Sequence, residues 1–433
     1  MRRHKWTILL AAFFVAVSFT SCEEEKVEPN GGDPDNQTTQ YFYDLMDAWY
    51  YWYQEIPDID PANFDSPEAL LEEIRYEEDR WSYITSYESF QQYYDEGAYV
   101  GYGFGSKWDD TDTLRVTFVF EDSPLQQEDI GRGWAITHVN GDPVTPDESI
   151  NELLGANEVG VSNDITFVSP DGKETVQASF DKKEVSMNTV LMDTVVNRNN
   201  TKIGYFVLKS FIGKTPDELT ETFRMFADQG IDELVIDLRY NGGGTLSASR
   251  FLGEFVIPEE FVGNESEYVS ITHNDKRAAN HDTTHVFQED SLGISLGLNR
   301  VYFITTQSTA SASEALINGL DPYMDVYLVG QTTYGKPVGM YAFTDEPKQY
   351  AFVPVSFSLK NAEGVADYYD GLPVDGSAPD GIRYPFASEQ EASFQQVLHH
   401  LESGSFDVTK AAQPVRPANR VDYNSLRDEI GAH

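Results

Sequence analysis

The run Gln307-Ser308-Thr309-Ala310-Ser311-Ala312-Ser313-Glu314 sets a hydroxyl among small side chains, just after an apolar strand pattern and at the opening of a helical one. Small residues permit a tight strand-to-helix turn, where a projecting hydroxyl meets unpaired N–H groups and the positive end of the helix dipole. Both features suit a nucleophile whose attack on a carbonyl builds negative charge on oxygen. Ser311 and Glu314 also have the S-x-x-E spacing of a capping box, so this segment alone fits a helix start as well as a catalytic turn. A second segment, Val329-Gly330-Gln331-Thr332-Thr333-Tyr334-Gly335-Lys336-Pro337, follows another short apolar strand, and its glycines allow a turn that carries Lys336 back into the fold. An amine accepts a proton only when neutral, and for lysine that requires desolvation to lower its pKa by a few units from about 10.4. A serine activated by a buried lysine is the chemistry the two segments offer if they meet, whereas Lys336 taken alone fits an ordinary solvated lysine as well.

Other polar clusters offer less. His281-Asp282-Thr283-Thr284-His285 has an i, i+4 histidine pair but lacks the glutamate of H-E-x-x-H and sits among turn residues, which reads as a loop and not as a zinc site. A Ser-His-Asp triad drawing on one of the histidines of this region, with His273 among them, stays open. No metal and no organic cofactor is implied.

The elements that must position Ser311 and Lys336 are strands alternating with helices. Ile203 to Leu208, Glu233 to Leu238, Val301 to Thr305 and Val326 to Val329 read as strands. Pro216 to Asp228, Leu246 to Phe255 and Ser311 to Leu320 read as helices between them. Such alternation predicts βα units on a largely buried sheet, an α/β fold. Upstream, Ala98 to about Asp181 changes to short alternating strands, Leu114 to Phe120, Trp134 to Val139 and Ile165 to Val168, with Pro146 to Leu154 as a helix. Before that, Phe42, Leu45, Met46, Trp49 and Tyr53 share a helical face ended by Pro57, and Ser66 to about Tyr76 reads as a second helix with Leu70, Leu71 and Ile74 inward. The aromatic stripe reads as packing.

Two resemblances gather these pieces. Gly101-Tyr102-Gly103-Phe104, Glu121-Asp122-Ser123-Pro124, Gly133-Trp134-Ala135-Ile136 and Val139-Asn140-Gly141, in that order, resemble a PDZ domain, with Trp134 where an aspartate is usual. That resemblance implies a loop at Tyr102, Gly103 and Phe104 whose backbone N–H groups receive a peptide carboxylate, next to a strand edge that can add the peptide as a further strand. Ala310-Ser311-Ala312-Ser313-Glu314 and Tyr334-Gly335-Lys336, 25 residues apart from Ser311 to Lys336, resemble the C-terminal processing peptidases, or tail-specific proteases. Val235-Ile236-Asp237-Leu238-Arg239-Tyr240-Asn241-Gly242-Gly243-Gly244 and Ile203-Gly204-Tyr205-Phe206 are similar to two further stretches of that family. The likeness spans roughly residues 41 to 400 and implies a serine endopeptidase with a crotonase-like core, Ser311 as nucleophile, Lys336 as base, and Gly243 and Ala312 as oxyanion-hole amides. Which glycine of Gly242 to Gly244 serves stays open. Met340 stands where the family often has a glutamine orienting its lysine, and Pro337 where it has a glycine. Gly371-Leu372-Pro373-Val374-Asp375 and Ala378-Pro379-Asp380 read as structural.

Composition limits the partners. With 72 Asp and Glu against 30 Lys and Arg, the net charge of −42 opposes any sequence-independent grip on nucleic acid. It equally opposes a peripheral hold on an anionic leaflet. Arg2, Arg3 and Lys5, the apolar run Ile8 to Val17, and Ser18 to Ser21 form a signal-peptide pattern too short to span a bilayer permanently. Phe19-Thr20-Ser21-Cys22 resembles a bacterial lipobox, which implies lipid on Cys22, the single cysteine, and anchorage to the outer membrane of a bacterial envelope, facing the periplasm or the surface. A plain secretory peptide is the alternative. The chain is thus expected to comprise a signal peptide (1–21), an acidic tether (22–40), a helical cap (41–97), a PDZ-like domain (98–183), a Ser/Lys peptidase core (184–402) and a polar tail (403–433). Its partners are expected to be polypeptides, unstructured or with free C-termini. A peptide-binding scaffold that keeps the fold without turnover is the alternative function.

Overall fold

The computed structural model describes residues 34–407 apart from 148, 264, 290–291 and 346–347. The signal-peptide pattern and Cys22 lie outside the described residues, as does most of the polar tail. No helix among the described residues is long and apolar enough to cross a membrane.

The first helix runs Pro34–Trp49 and so begins inside the stretch read as tether. Proline is at home in a first turn, and burial extends upstream of the expected stripe to Thr39, which is fully buried. Phe42, Leu45 and Met46 pack against Leu70, Leu71 and Ile74 of the helix Pro67–Ile74, whose start is capped by Ser66 Oγ accepting from the Ala69 amide at 3.2 Å. The strand Tyr83–Ser86 that follows pairs antiparallel with Tyr350–Val353, stitching this unit to the far end of the chain.

The β-rich unit enters on Ala98–Gly101 and leaves on Lys183–Ser186, and these two strands pair antiparallel as a neck. Between them Phe104–Trp108, Leu114–Val119, Ala135–Val139, Ser162–Val168 and Thr175–Asp181 follow one another in an antiparallel sheet with Phe104–Trp108 at its edge. The expected helix here is only Ile150–Leu154; Ile150 and Leu154 are its buried contacts with the sheet.

The core sheet orders Val190–Arg198, Thr201–Leu208, Glu233–Asp237, Arg300–Thr305, Asp325–Gly330 and Gly376–Ser377 side by side, antiparallel in the first pair and parallel thereafter. Side-chain alternation sorts two cores. Phe206, Leu234, Ile236 and Phe303 face the helices Thr215–Gln229, Leu246–Val256 and Ala312–Leu320 through Phe223, Phe255 and Leu316. Tyr205, Val235, Tyr302 and Val329 face Phe394 and Val397 of the helix Ala392–Ser403. Burial on both faces explains why these strands read as continuous apolar runs. The stretch read as a histidine loop is instead a short helix, Ala278–His281, followed by a strand, Thr283–Val286, paired with Glu267–His273; β-branched Thr283 and Thr284 fit that edge. The architecture is the mixed α/β, multi-domain one expected.

Candidate active site

Ser311 stands at the mouth of the helix Ala312–Leu320 with φ 58° and ψ −117°, a conformation that costs a non-glycine residue about 1–3 kcal/mol. The turn is over-determined from three sides. The Asn241 carbonyl accepts the Ala310 amide at 3.1 Å and the Ser313 hydroxyl at 3.2 Å, and the Thr309 hydroxyl donates to the Leu238 carbonyl at 2.8 Å. Glu314 Oε2 accepts the Ser311 amide at 2.9 Å. The glutamate of the capping-box pattern therefore does bond the cap residue.

It also does far more. The same Oε2 accepts the Lys336 amide at 2.8 Å, while Oε1 accepts the Gly335 amide at 2.7 Å and the Thr333 hydroxyl at 2.5 Å. One carboxylate oxygen thus stands between the backbone of Ser311 and that of Lys336. Burial pushes the Glu314 carboxyl up from its ordinary range, with the four donors pulling the other way. Lys336 is buried at 7% exposure, and its Nζ lies 3.7 Å from Met340 Sδ. Methionine thus fills the place of the expected polar partner with a weak, polarizable acceptor.

Gly243, at φ +107°, packs so closely on the turn that a Cβ there would lie 2.8 Å from Ser311 Cβ and 3.0 Å from the Ala312 nitrogen. Only glycine fits. Its amide, however, donates to Asn241 Oδ1 at 2.8 Å, while Asn241 Nδ2 is buried with no hydrogen-bond partner among the described residues. Ala312 is fully buried at the first position of its helix, where an amide has no intrahelical acceptor.

Beneath the glycine turn lies a charged network that sequence reasoning passed over. Arg239 is wholly buried, with Nε 2.9 Å from both Asp237 oxygens and Nη1 3.1 Å from Glu391 and 3.2 Å from Asp380. Tyr240 donates to Asp380 at 2.7 Å and accepts from Arg132 of the β-rich unit at 2.6 Å. The two guanidinium groups hold Asp380 well below the usual carboxylate range despite burial. The signal was available: a charged Asp-Leu-Arg at the end of an apolar strand marks a buried pair.

Of the other residues singled out, Tyr102 and Phe104 are core side chains, at 0% and 1% exposure, so any recognition at that loop falls to its backbone. Gly103, at φ +73°, would place a Cβ 2.8 Å from Ser123 Cβ, and Ser123 Oγ donates to the Tyr102 carbonyl at 2.7 Å. Two of the separate motif pieces therefore meet each other. His273 bonds Asp282 through Nδ1 and Tyr341 through Nε2, both at 3.0 Å, and His281 packs on Trp49. Among the described residues no cluster of His, Cys, Asp and Glu could hold a metal ion.

Residues 202–353 match peptidase family S41, and residues 37–83 match the peptidase S41 N-terminal domain. The chain is 24% identical over 349 residues to a Staphylococcus aureus (strain COL) protein named "Probable CtpA-like serine protease", covering 77% of this chain and 63% of that relative's length. It is 26% identical over 231 residues to the carboxyl-terminal-processing protease of Picosynechococcus, covering 52% of this chain and 51% of the relative. In fold it resembles a Bacteroides fragilis chain assigned to the S41 proteases, with a TM-score of 0.69 at 24% identity over 88% of this chain and all of that one. The photosystem II D1 C-terminal processing protease superposes with a TM-score of 0.51 at 17% identity, over 80% and 94% of the two chains. The chain thus carries a stretch matching peptidase family S41 over residues 202–353 and one matching the peptidase S41 N-terminal domain over residues 37–83, in a mixed α/β fold shared with those solved structures.

Proposed function

We propose that this chain is an exported serine endopeptidase of the C-terminal processing type, with Ser311 as nucleophile and Lys336 as base. The observation that carries the reading is the Glu314 carboxylate, which bonds the backbone amides of both residues and so fixes their orientation where two neighbouring strands already bring the segments together. The positive φ of Ser311 supports it, since strain of that kind collects where a side chain must be presented.

In the proposed cycle, neutral Lys336 takes the Ser311 proton as Oγ bonds the scissile carbonyl carbon. The carbonyl oxygen, now negative, is held by the Ala312 amide and by the Gly243 amide, where it takes the place of Asn241 Oδ1. Lys336 then gives its proton to the leaving amine as the peptide bond breaks. Water repeats the attack on the acyl-enzyme and restores Ser311. Substrates are polypeptides, and the resemblance of the β-rich unit to PDZ domains supports capture of a free C-terminus along the edge strand Phe104–Trp108, with the Tyr102, Gly103 and Phe104 backbone at its head. A lipid on Cys22 would hold the enzyme to the bacterial outer membrane.

A scaffold without turnover has Met340 in its favour, and Asn241 occupying the Gly243 amide. Nothing in that reading calls for a strained serine. The deciding assay is cleavage of a permanently unfolded protein by the wild-type chain, Ser311→Ala and Lys336→Ala: loss in both variants with an unchanged fold is expected, and cleavage retained by Ser311→Ala would overturn the assignment. Blocking the substrate's C-terminus should slow cleavage, and equal rates would overturn the role given to the β-rich unit.

A further inference from the structure

Arg80 belongs to the N-terminal unit, more than two hundred residues from the catalytic segments, yet it reaches the loop that carries Lys336. Its Nη2 donates to three backbone carbonyls, Tyr369 at 2.9 Å, Tyr334 at 3.0 Å and Gly335 at 3.2 Å. The guanidinium also lies over the rings of Tyr334 and Trp81, at 4.6 and 5.2 Å from their centroids. Its approach is fixed by the buried Asp79, whose Oδ1 accepts the Trp81 and Ser82 amides at 2.9 and 3.0 Å and whose Oδ2 accepts the Tyr50 hydroxyl at 2.8 Å.

The geometry is specific to one peptide plane. Gly335 contributes its carbonyl to Arg80, and the next atom along that plane, the Lys336 amide, donates to Glu314. A cation therefore holds the oxygen end and an anion the N–H end of the same rigid unit, which fixes the direction in which Lys336 leaves the backbone. Carbonyls of two loops converge at this point, and Gly335 sits so close to Tyr369 that a Cβ would lie 2.2 Å from its carbonyl oxygen. Oxygens crowded in this way repel one another unless a cation lies between them. A planar fork that also stacks on rings meets that need better than a flexible ammonium.

We infer that Arg80 is a positioning residue for Lys336, so that the N-terminal unit is part of the catalytic apparatus and not a mere cover. The inference takes Lys336 as the base, as proposed above. Arg80 is exposed, so its replacement leaves the core intact.

The test uses the full chain with Arg80→Ala and Arg80→Lys. Hydrogen exchange of the peptide spanning residues 331–338, which needs no turnover, should quicken in Arg80→Ala relative to wild type while the core strand at residues 233–237 is unchanged. With an unfolded protein substrate, kcat should fall ~10–100-fold with KM within about twofold, the scale of a misplaced catalytic group. Arg80→Lys should recover part of that loss. Unaltered exchange in Arg80→Ala would overturn the inference whatever happens to kcat, as would wild-type kcat or a loss confined to KM. Ser311→Ala separates the two claims: continued cleavage there removes the catalytic reading, whereas the clamp is judged by exchange alone.

Discussion

Asn241 Oδ1 accepts the Gly243 amide hydrogen at 2.8 Å, in the position that the developing oxyanion of a bound substrate is proposed to occupy. A neutral amide oxygen can be exchanged for a negatively charged one, because hydrogen bonds to an ionised acceptor are roughly twice as strong. Asn241→Asp removes that advantage by setting a carboxylate against the same donor. The expected result is a kcat lowered by ~10²–10³, the cost of losing one oxyanion donor, with substrate affinity little changed. Pre-steady-state acylation kinetics measure it directly.

Ser311 should carry a stability cost that its own removal does not relieve. Its φ of 58° and ψ of −117° are those of the first central residue in a type II′ turn, where glycine is preferred. Ser311→Ala keeps the strain and Ser311→Gly releases it, so the glycine variant should be more stable than the alanine variant by about 1 kcal/mol. Urea midpoints of the two variants give the comparison.

Arg239 neutralises buried acids on three sides, Asp237, Glu391 and Asp380. Arg239→Met leaves those carboxylates uncompensated and should cost about 3–5 kcal/mol, the range for breaking a buried ion pair from one side. A lowered denaturation midpoint in the full chain is the readout. Because the network lies directly under Tyr240 and Asn241, activity should be lost along with stability.

Lys182 makes the β-rich unit respond to pH. Its ammonium is buried and donates to the Gly155 and Ala156 carbonyls at 2.6 and 2.9 Å and to Asn157 Oδ1 at 2.9 Å, and burial lowers its pKa to about 8. The folded chain thus gives up this proton before the unfolded one does. The group's contribution to stability should rise with pH between about 8 and about 10.4, and fall away as pH drops through 8. Denaturation midpoints of wild type and Lys182→Met across that interval should diverge in that direction, and a constant difference would refute the assignment.

The sequence displays Ser311, Lys336 and the strand-and-helix alternation because each is a local pattern. Small residues before a helix and apolar runs between glycines constrain only their neighbours, so they can be read along the chain. What stayed hidden is contact between distant segments. Glu314 looks like a cap three residues from Ser311, and its bonds to Thr333, Gly335 and Lys336 arise only when a second loop folds onto it. Arg80 in sequence is one charged residue beside a tryptophan. The first helix begins earlier than its apolar stripe predicts, because Pro34 to Gln40 carries little apolar signal of its own and is helical through the packing that follows it. Asn241 is visible in the sequence only as part of a glycine turn, although its side chain bonds the Gly243 amide.

The neck of the β-rich unit bears on how such a chain could be rebuilt. Ala98–Gly101 and Lys183–Ser186 run side by side, so the first and last residues of everything between them are already neighbours. A module attached at two adjoining points can be lifted out and the gap closed by a tight hairpin, or a different module grafted at the same seam, without re-threading the six-stranded sheet. What such a swap must reproduce is the packing across the seam, where Arg132 reaches the Tyr240 and Asp380 cluster, Arg383 pairs with Asp109 and Phe118 lies against Tyr240.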